Sequence, residues 1–442
     1  MLNYILNRNW VLRNPEPADA GGGMSLNETG EGTSMLDMLG GDSAGNPAAG
    51  GEEATGGDGG EPEPGAAGGD TGEETDPFDV LNVDDEPGDA GEDAGQKTET
   101  GEYIDPLQFY MDKIKDTTAP RATHFMIYPQ RGKGILNGKQ AKQLFALANL
   151  KKPLEAWGEI AIGIKAYDYM DGTHNNYGVR TVKLYVDSVE VFRSTVDGFL
   201  PDENRMINAW TDYEEYVTKS SWFMRSQILP GNCWRMLEAD EKGGVVTVDE
   251  ERDYQFCYEL EDLYGNSRKY SFVVKGKRQP IDSWKPEGKN FLRWDRKNVV
   301  WDLGMELIIP EGMLYEDVEL NYSLRKDSAS VSYEYQIHDT PVPLYEGCML
   351  KIGIHEFPIA DMSKYYVIQK KKGRKVSMGG YFENGFMHAA IRELGTYTVD
   401  MDTVPPKVVP LDKGRWRTGN VQFKITDAET GIKSYKVYID GK

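Results

Sequence analysis

The feature that most constrains this chain is an internal repeat. Asp116-Thr117-Thr118-Ala119-Pro120-Arg121 returns far downstream, in register, as Asp402-Thr403-Val404-Pro405-Pro406-Lys407. Ile164-Lys165-Ala166-Tyr167-Asp168 is matched by Phe423-Lys424-Ile425-Thr426-Asp427, and residues 178–188 (GVRTVKLYVDS) by residues 431–441 (GIKSYKVYIDG). Each copy reads as a proline-stiffened entry, a strand ending in Asp, a turn, and a second strand with apolar residues at alternate positions. Alternation of period two puts one face of a strand in a core. This order is that of the opening hairpin of an immunoglobulin-like sandwich, so the repeat predicts two such modules.

From Gly101 onward the same texture continues: short runs rich in Val, Ile, Tyr and Phe, punctuated by Gly, Asn, Asp and Pro. The reading is mainly β, with tandem immunoglobulin-like sandwich modules behind an acidic Gly-rich tail. Its boundaries are a tail over 1–100, a connecting stretch over 101–120, a complete sandwich with a short helix over 121–280, a different β-rich module over 281–400, and a module cut off after its first hairpin over 401–442. In the first sandwich a closing hairpin is expected from Tyr254 to Leu260 and from Arg268 to Val274, with its turn at Tyr264-Gly265-Asn266-Ser267. The middle module is expected to place strands near 305–309, 318–322, 330–336, 348–354, 365–369 and 396–399. Helical periodicity is confined to 202–219 and 139–147. The aromatics Trp210, Tyr213, Tyr216, Trp222, Phe223 and Trp234, in or after the first of these, fit core packing, with a sugar-stacking platform as the alternative.

Charge is informative only once located. The formal net charge is −22, and residues 14–100 carry 23 acidic residues against one basic residue, Lys97. The part from Gly101 on is therefore close to neutral. Low hydrophobicity and like charge cannot offset the entropy of ordering the tail, which reads as a disordered linker; calcium buffering or partner binding by its carboxylates is the alternative. Nucleic-acid binding is excluded by the lack of a basic stripe with interleaved aromatics. No run approaches the length of a membrane span. Residues 1–13 lack a continuous apolar core and do not make a signal peptide.

Catalytic and metal motifs are missing. His124, His174, His338, His355 and His388 stand apart, without HxH, HExxH or HxxxD spacing, and neither a phosphate loop nor GxSxG occurs. Cys233, Cys257 and Cys348 are odd in number and widely spaced, which fits buried free thiols, with a Cys233–Cys257 bridge as the alternative. One polar cluster stands out over 168–178. Asp168, Asp171, Asn175 and Asn176 offer hard oxygens of the kind calcium takes, although the spacing is not that of an EF-hand and turn chemistry also explains these residues.

Several segments resemble a known family. Residues 160–192 (IAIGIKAYDYMDGTHNNYGVRTVKLYVDSVEVF), 251–272 (ERDYQFCYELEDLYGNSRKYSF), 391–406 (IRELGTYTVDMDTVPP) and the final hairpin are similar, in the family's order, to the region after the catalytic domain in Gram-negative lysostaphin or LytM-type zinc metalloendopeptidases, peptidase family M-23. Residues 101–110 (GEYIDPLQFY) resemble the end of the peptidase domain itself, which in that family follows a strand bearing the zinc and catalytic histidines. Here Gly91 to Lys97 contain no histidine, and no family catalytic residue finds a counterpart. The resemblance implies a non-catalytic accessory region of a peptidoglycan endopeptidase, located in the periplasm or cell envelope, with peptidoglycan or envelope proteins as partners. It places zinc only in a catalytic domain missing from this chain, and it implies that both ends are truncated. Two alternatives remain: a fragment of an active zinc metallopeptidase that hydrolyses peptidoglycan cross-links, its catalytic domain missing from this gene model, and an adhesive or scaffolding envelope protein.

Overall fold

The structure, a computed structural model, describes residues 101–149, 153–285, 290–326, 330–418, 421–427, 429–432 and 434–438. The expected acidic tail over 1–100 lies outside the described residues. The rest is mainly β and sandwich-like, built around two large apolar cores.

The first core is framed by two long antiparallel strands, Arg121–Leu136 and Leu154–Tyr169. Their pairing slips between Pro129 and Gly134, where Pro129 has no N–H to donate and a bulge bends the strand. Opposite Gly134 sits Gly158, with φ of +80° and the Lys133 carbonyl 2.0 Å from where a Cβ would stand. Only glycine allows the backbones this close. The facing layer holds Leu237–Ala239, Val189–Thr195, Thr181–Val186, Asp253–Glu261 and Ser267–Gly276 in that spatial order. The end of Ser267–Gly276 runs parallel to the start of Leu154–Tyr169, with Val274 opposite Leu154, and joins both layers into one sheet. Between the layers Phe125 stacks on Phe272 with ring centroids 4.1 Å apart, and Phe272 on Phe256 at 5.2 Å.

Alternation fails where both faces of a strand are covered. Residues 160–164 are all buried: Ile160, Ile162 and Ile164 face the main core, while Ala161 packs with Met126, Tyr128 and Phe223. The covering segment lies between the strands Gly198–Phe199 and Met224–Arg225, and its helical part is broken into a 3-10 turn Pro201–Met206 and the short helices Ile207–Trp210 and Tyr213–Lys219, where one helix over 202–219 was expected. The break falls at Thr211-Asp212, where Thr211 turns extended and the Asp212 side chain caps the second helix by accepting the Glu215 N–H. Trp210, Trp222 and Trp234 meet edge to face and are buried with Tyr213, Tyr216 and Phe223. These aromatics are core, and no sugar platform forms from them. The helical reading of 139–147 is corrected as well: Gln143–Ala146 is a strand paired with residues 124–127, followed by a 3-10 turn Leu147–Asn149. Tertiary pairing overrides a weak local preference here.

The second core lies between two five-stranded antiparallel sheets. One has the order Asn298–Asp302, Met305–Ile309, Val342–Gly353, Phe386–Leu394, Tyr381–Glu383; the other has Ser323–Arg325, Glu334–Gln336, Thr396–Met401, Tyr365–Lys371, Arg374–Gly379. Leu307, Leu350 and Ile391 from the first meet Val367, Tyr397 and Val399 from the second. The strand expected over 330–336 is shortened to Glu334–Gln336. Ser332 Oγ accepts the Val399 N–H at 2.8 Å, so a side chain takes the place of a backbone ladder bond.

A buried polar joint connects the two cores. Tyr213 donates to Glu393 Oε2 at 2.7 Å, and the same carboxylate accepts from Gln369 at 2.7 Å and Lys371 at 3.1 Å. Tyr315, which belongs by sequence to the second module, packs in the first core and donates to the Arg205 carbonyl at 2.7 Å. Beyond the second core, Lys407–Leu411 pairs with Gln422–Thr426, Lys407 opposite Thr426. The repeat aligns these two residues with Arg121 and Tyr167, which also pair. Residues 434–438 form no strand, and Tyr435, Val437 and Tyr438 are exposed.

Candidate metal centre

The polar cluster expected over 168–178 is taken apart by the fold and partly rebuilt from distant residues. Asp168 is the penultimate residue of the strand Leu154–Tyr169. Asp116 precedes the strand Arg121–Leu136, and Asp262 follows Asp253–Glu261. Because Arg121 pairs with Tyr167, and Glu261 lies next to Thr181 in the adjoining layer, these three segments end at one pole of the sandwich. There Asp116, Asp168 and Asp262 bring carboxylate oxygens within 4.8 Å of one another, the one group of metal-ligating His, Cys, Asp and Glu side chains among the described residues.

Hydrogen bonds orient two of the three carboxylates, those of Asp116 and Asp262. Asp116 Oδ1 accepts the N–H groups of Thr118 and Asp171 at 3.0 and 3.1 Å. Asp262 is held from both oxygens by Asn266, through its N–H at 2.8 Å and its amide at 2.7 Å. The Asn266 amide also donates to the Asp116 carbonyl at 3.1 Å, tying the entering segment to the closing hairpin turn. Asp116, Asp168 and Asp262 are 7%, 8% and 1% exposed. Asp116 Oδ2 and Asp168 Oδ1 are buried with no hydrogen-bond partner among the described residues. Burial, then the charges of Asp262 and Asp116, push the Asp168 carboxyl up to about 8. Burial also raises that of Asp262.

Of the four residues expected to form a calcium loop, only Asp168 lies in this group. Asp171 is exposed and its carboxylate is taken by Thr117 and Thr118, whose bonds hold its pKa down. Asn175 is exposed, and Asn176 is half-buried in a two-residue strand opposite Tyr169. The arrangement has a simple cause. A strand reverses its side chains at each residue and the loop departs from the strand end, so neighbours in sequence need not converge. Asp116 was visible in the repeat and Asp262 in the closing hairpin, but their meeting is a product of strand order.

The histidines stay apart: His124 bonds Thr123, His338 accepts the Asn321 N–H at 2.9 Å, and His388 stacks on Tyr381. The cysteines are free thiols, and only Cys348 is buried; Cys233 is exposed and Cys257 half-buried, contrary to the expectation of three buried thiols. In the second copy of the repeat, Asp402 Oδ2 accepts a short bond from Thr430 Oγ1, and Asp427 Oδ1 accepts the N–H groups of Glu429 and Gly431 at 3.0 Å each. The same sequence signature is thus satisfied there by hydrogen bonds within the copy itself.

No curated protein matches this chain. Residues 289–402, which enclose the second core, match the family model of the Zu5-like domain.

Proposed function

We propose that this chain is a non-catalytic accessory region that positions or regulates a peptidoglycan zinc endopeptidase domain, or binds envelope components, in the periplasm or cell envelope. The observation that carries the accessory role is the buried joint at Glu393: a sandwich and a second β module share a desolvated carboxylate with three donors, a contact suited to a stiff spacer. The envelope setting rests on the resemblance of residues 160–192, 251–272 and 391–406 to the post-catalytic region of those peptidases.

Purified chain incubated with isolated sacculi tests the reading, with zinc content and released muropeptides measured in parallel. Retention on sacculi without muropeptide release supports it. Stoichiometric zinc with muropeptide release overturns it in favour of an active peptidase, and retention only on other envelope fractions overturns it in favour of an adhesive scaffold.

A further inference from the structure

We propose that Asp116, Asp168 and Asp262 form a calcium site that staples the segment entering the first sandwich to two of its core strands. The inference is independent of the envelope reading. Calcium takes oxygens at 2.3–2.6 Å, so two oxygens on one ion lie at most about 5 Å apart, and the three carboxylates already satisfy that limit. The orphaned oxygens point the same way. Asp116 spends Oδ1 on two backbone N–H groups while Oδ2 stays buried without a partner, and Asp168 Oδ1 is in the same condition. A buried carboxylate oxygen with nothing to accept from is costly, and none of the three carboxylates is in an ion pair among the described residues. A divalent cation answers both deficits at once.

The donor set selects the ion. All three side chains are carboxylates, without the His or Cys that zinc and copper prefer, which leaves the hard cations. Magnesium demands near-ideal octahedral geometry and keeps its waters, whereas three buried carboxylates from independent segments suit the looser shell of calcium. The site belongs to the first copy of the repeat alone, since Asp402 of the second copy already has the Thr430 hydroxyl.

The test uses the full chain after treatment with EDTA. Calcium binding is followed by isothermal titration and thermal unfolding, alongside Asp168→Asn, Asp262→Asn and, as a control on the other module, Asp295→Asn. One tight calcium per chain is expected, with the folded-to-unfolded ratio of the first module rising about 100-fold at calcium about 100-fold above its dissociation constant, a shift of roughly 5–10 °C. The two site variants should bind at least about 10-fold more weakly and lose the shift, while Asp295→Asn keeps it. The acidic stretch over 14–100 is common to all four proteins and cancels in the comparison. Equal unfolding of the wild type in calcium and EDTA overturns the proposal, as does a full calcium response in Asp168→Asn. A calcium-free rise in stability on Asp168→Asn, with no ion bound by the wild type, overturns it in favour of two carboxyls sharing a proton. Should the site variants fail to fold, trypsin cleavage of the wild type after the exposed Lys113 and Lys115 decides: slowing by calcium supports the staple, and equal rates overturn it.

Discussion

Asp212 shows how much one buried charge can organise. Its side chain is fully buried, it caps the helix Tyr213–Lys219, and it meets Lys142 at 3.0 Å and Arg225 at 3.9 Å. Burial alone would raise its carboxyl pKa, but Arg225 and Lys142 outweigh it and hold the value below the ordinary one. Asparagine keeps the cap while removing the charge. Asp212→Asn should therefore cost about 3 kcal/mol at neutral pH, chiefly by leaving the half-buried Arg225 guanidinium with, among the described residues, only the long pair to Glu316 at 4.0 Å, since Lys142 retains Glu214 and Glu215. The sign of its pH dependence follows from the lowered folded value. The stabilisation is complete above the unfolded carboxylate pKa of about 3.9 and is lost as pH falls through the folded one. Urea unfolding of wild type and variant should show a constant gap from pH 7 to about pH 5 that narrows below pH 4; a gap that widens in acid would contradict the assignment.

At the scale of elements, the bulge between Arg121–Leu136 and Leu154–Tyr169 lets two strands serve both layers. Gly158 is the residue that permits it, and the close Lys133 carbonyl adds a clash to the backbone strain. Gly158→Ala should lower stability by about 3 kcal/mol or more, whereas Gly172→Ala, also at positive φ (+75°) but with open space around its Cβ, should cost about 1 kcal/mol. Chemical denaturation of the two variants checks the ranking, and equal losses would mean that strain alone matters. Helix Tyr213–Lys219 is too short to be stable by itself. Its Tyr213, Tyr216 and Val217 are buried in the first core, so it persists through packing.

For the whole molecule, the Glu393 joint hydrogen-bonds the two modules through one buried carboxylate, and it is expected to couple their unfolding. Glu393→Ala removes the shared acceptor of Tyr213, Gln369 and Lys371 and should cost about 3–5 kcal/mol, whereas Tyr213→Phe removes one bond and should cost about 1 kcal/mol. Scanning calorimetry is expected to show the cores of wild type unfolding in one transition and those of Glu393→Ala in two. Two transitions already in the wild type would show that the joint is too weak to couple them.

Much of this architecture was legible in the chain. Met305–Ile309 alternates buried and half-buried residues as its sequence does, and Asp253–Glu261 pairs with Ser267–Gly276 around the turn that Gly265 and Asn266 announce. Both signals are local, because the pleat has a period of two and a turn needs particular residues. The repeat carried less: the hairpin expected between 164–168 and 178–188 does not form, because Thr181–Val186 pairs with Val189–Thr195 and Asp253–Glu261 in the facing layer while Leu154–Tyr169 pairs with Arg121–Leu136. The misses are non-local. Gln143–Ala146 reads as helix until residues 124–127 pair with it, and nothing local announces that Phe223 covers the second face of residues 160–164. The candidate site follows the same rule: the chain supplied Asp168 and placed Asp116 beside a proline entry, but Asp262 joins them only because strand order brings three element ends to one pole. The sequence by itself determined that the chain is β, where its strands turn, and that one motif occurs twice. Tertiary structure alone decided which carboxylates meet, because burial and convergence depend on contacts between residues far apart in the chain.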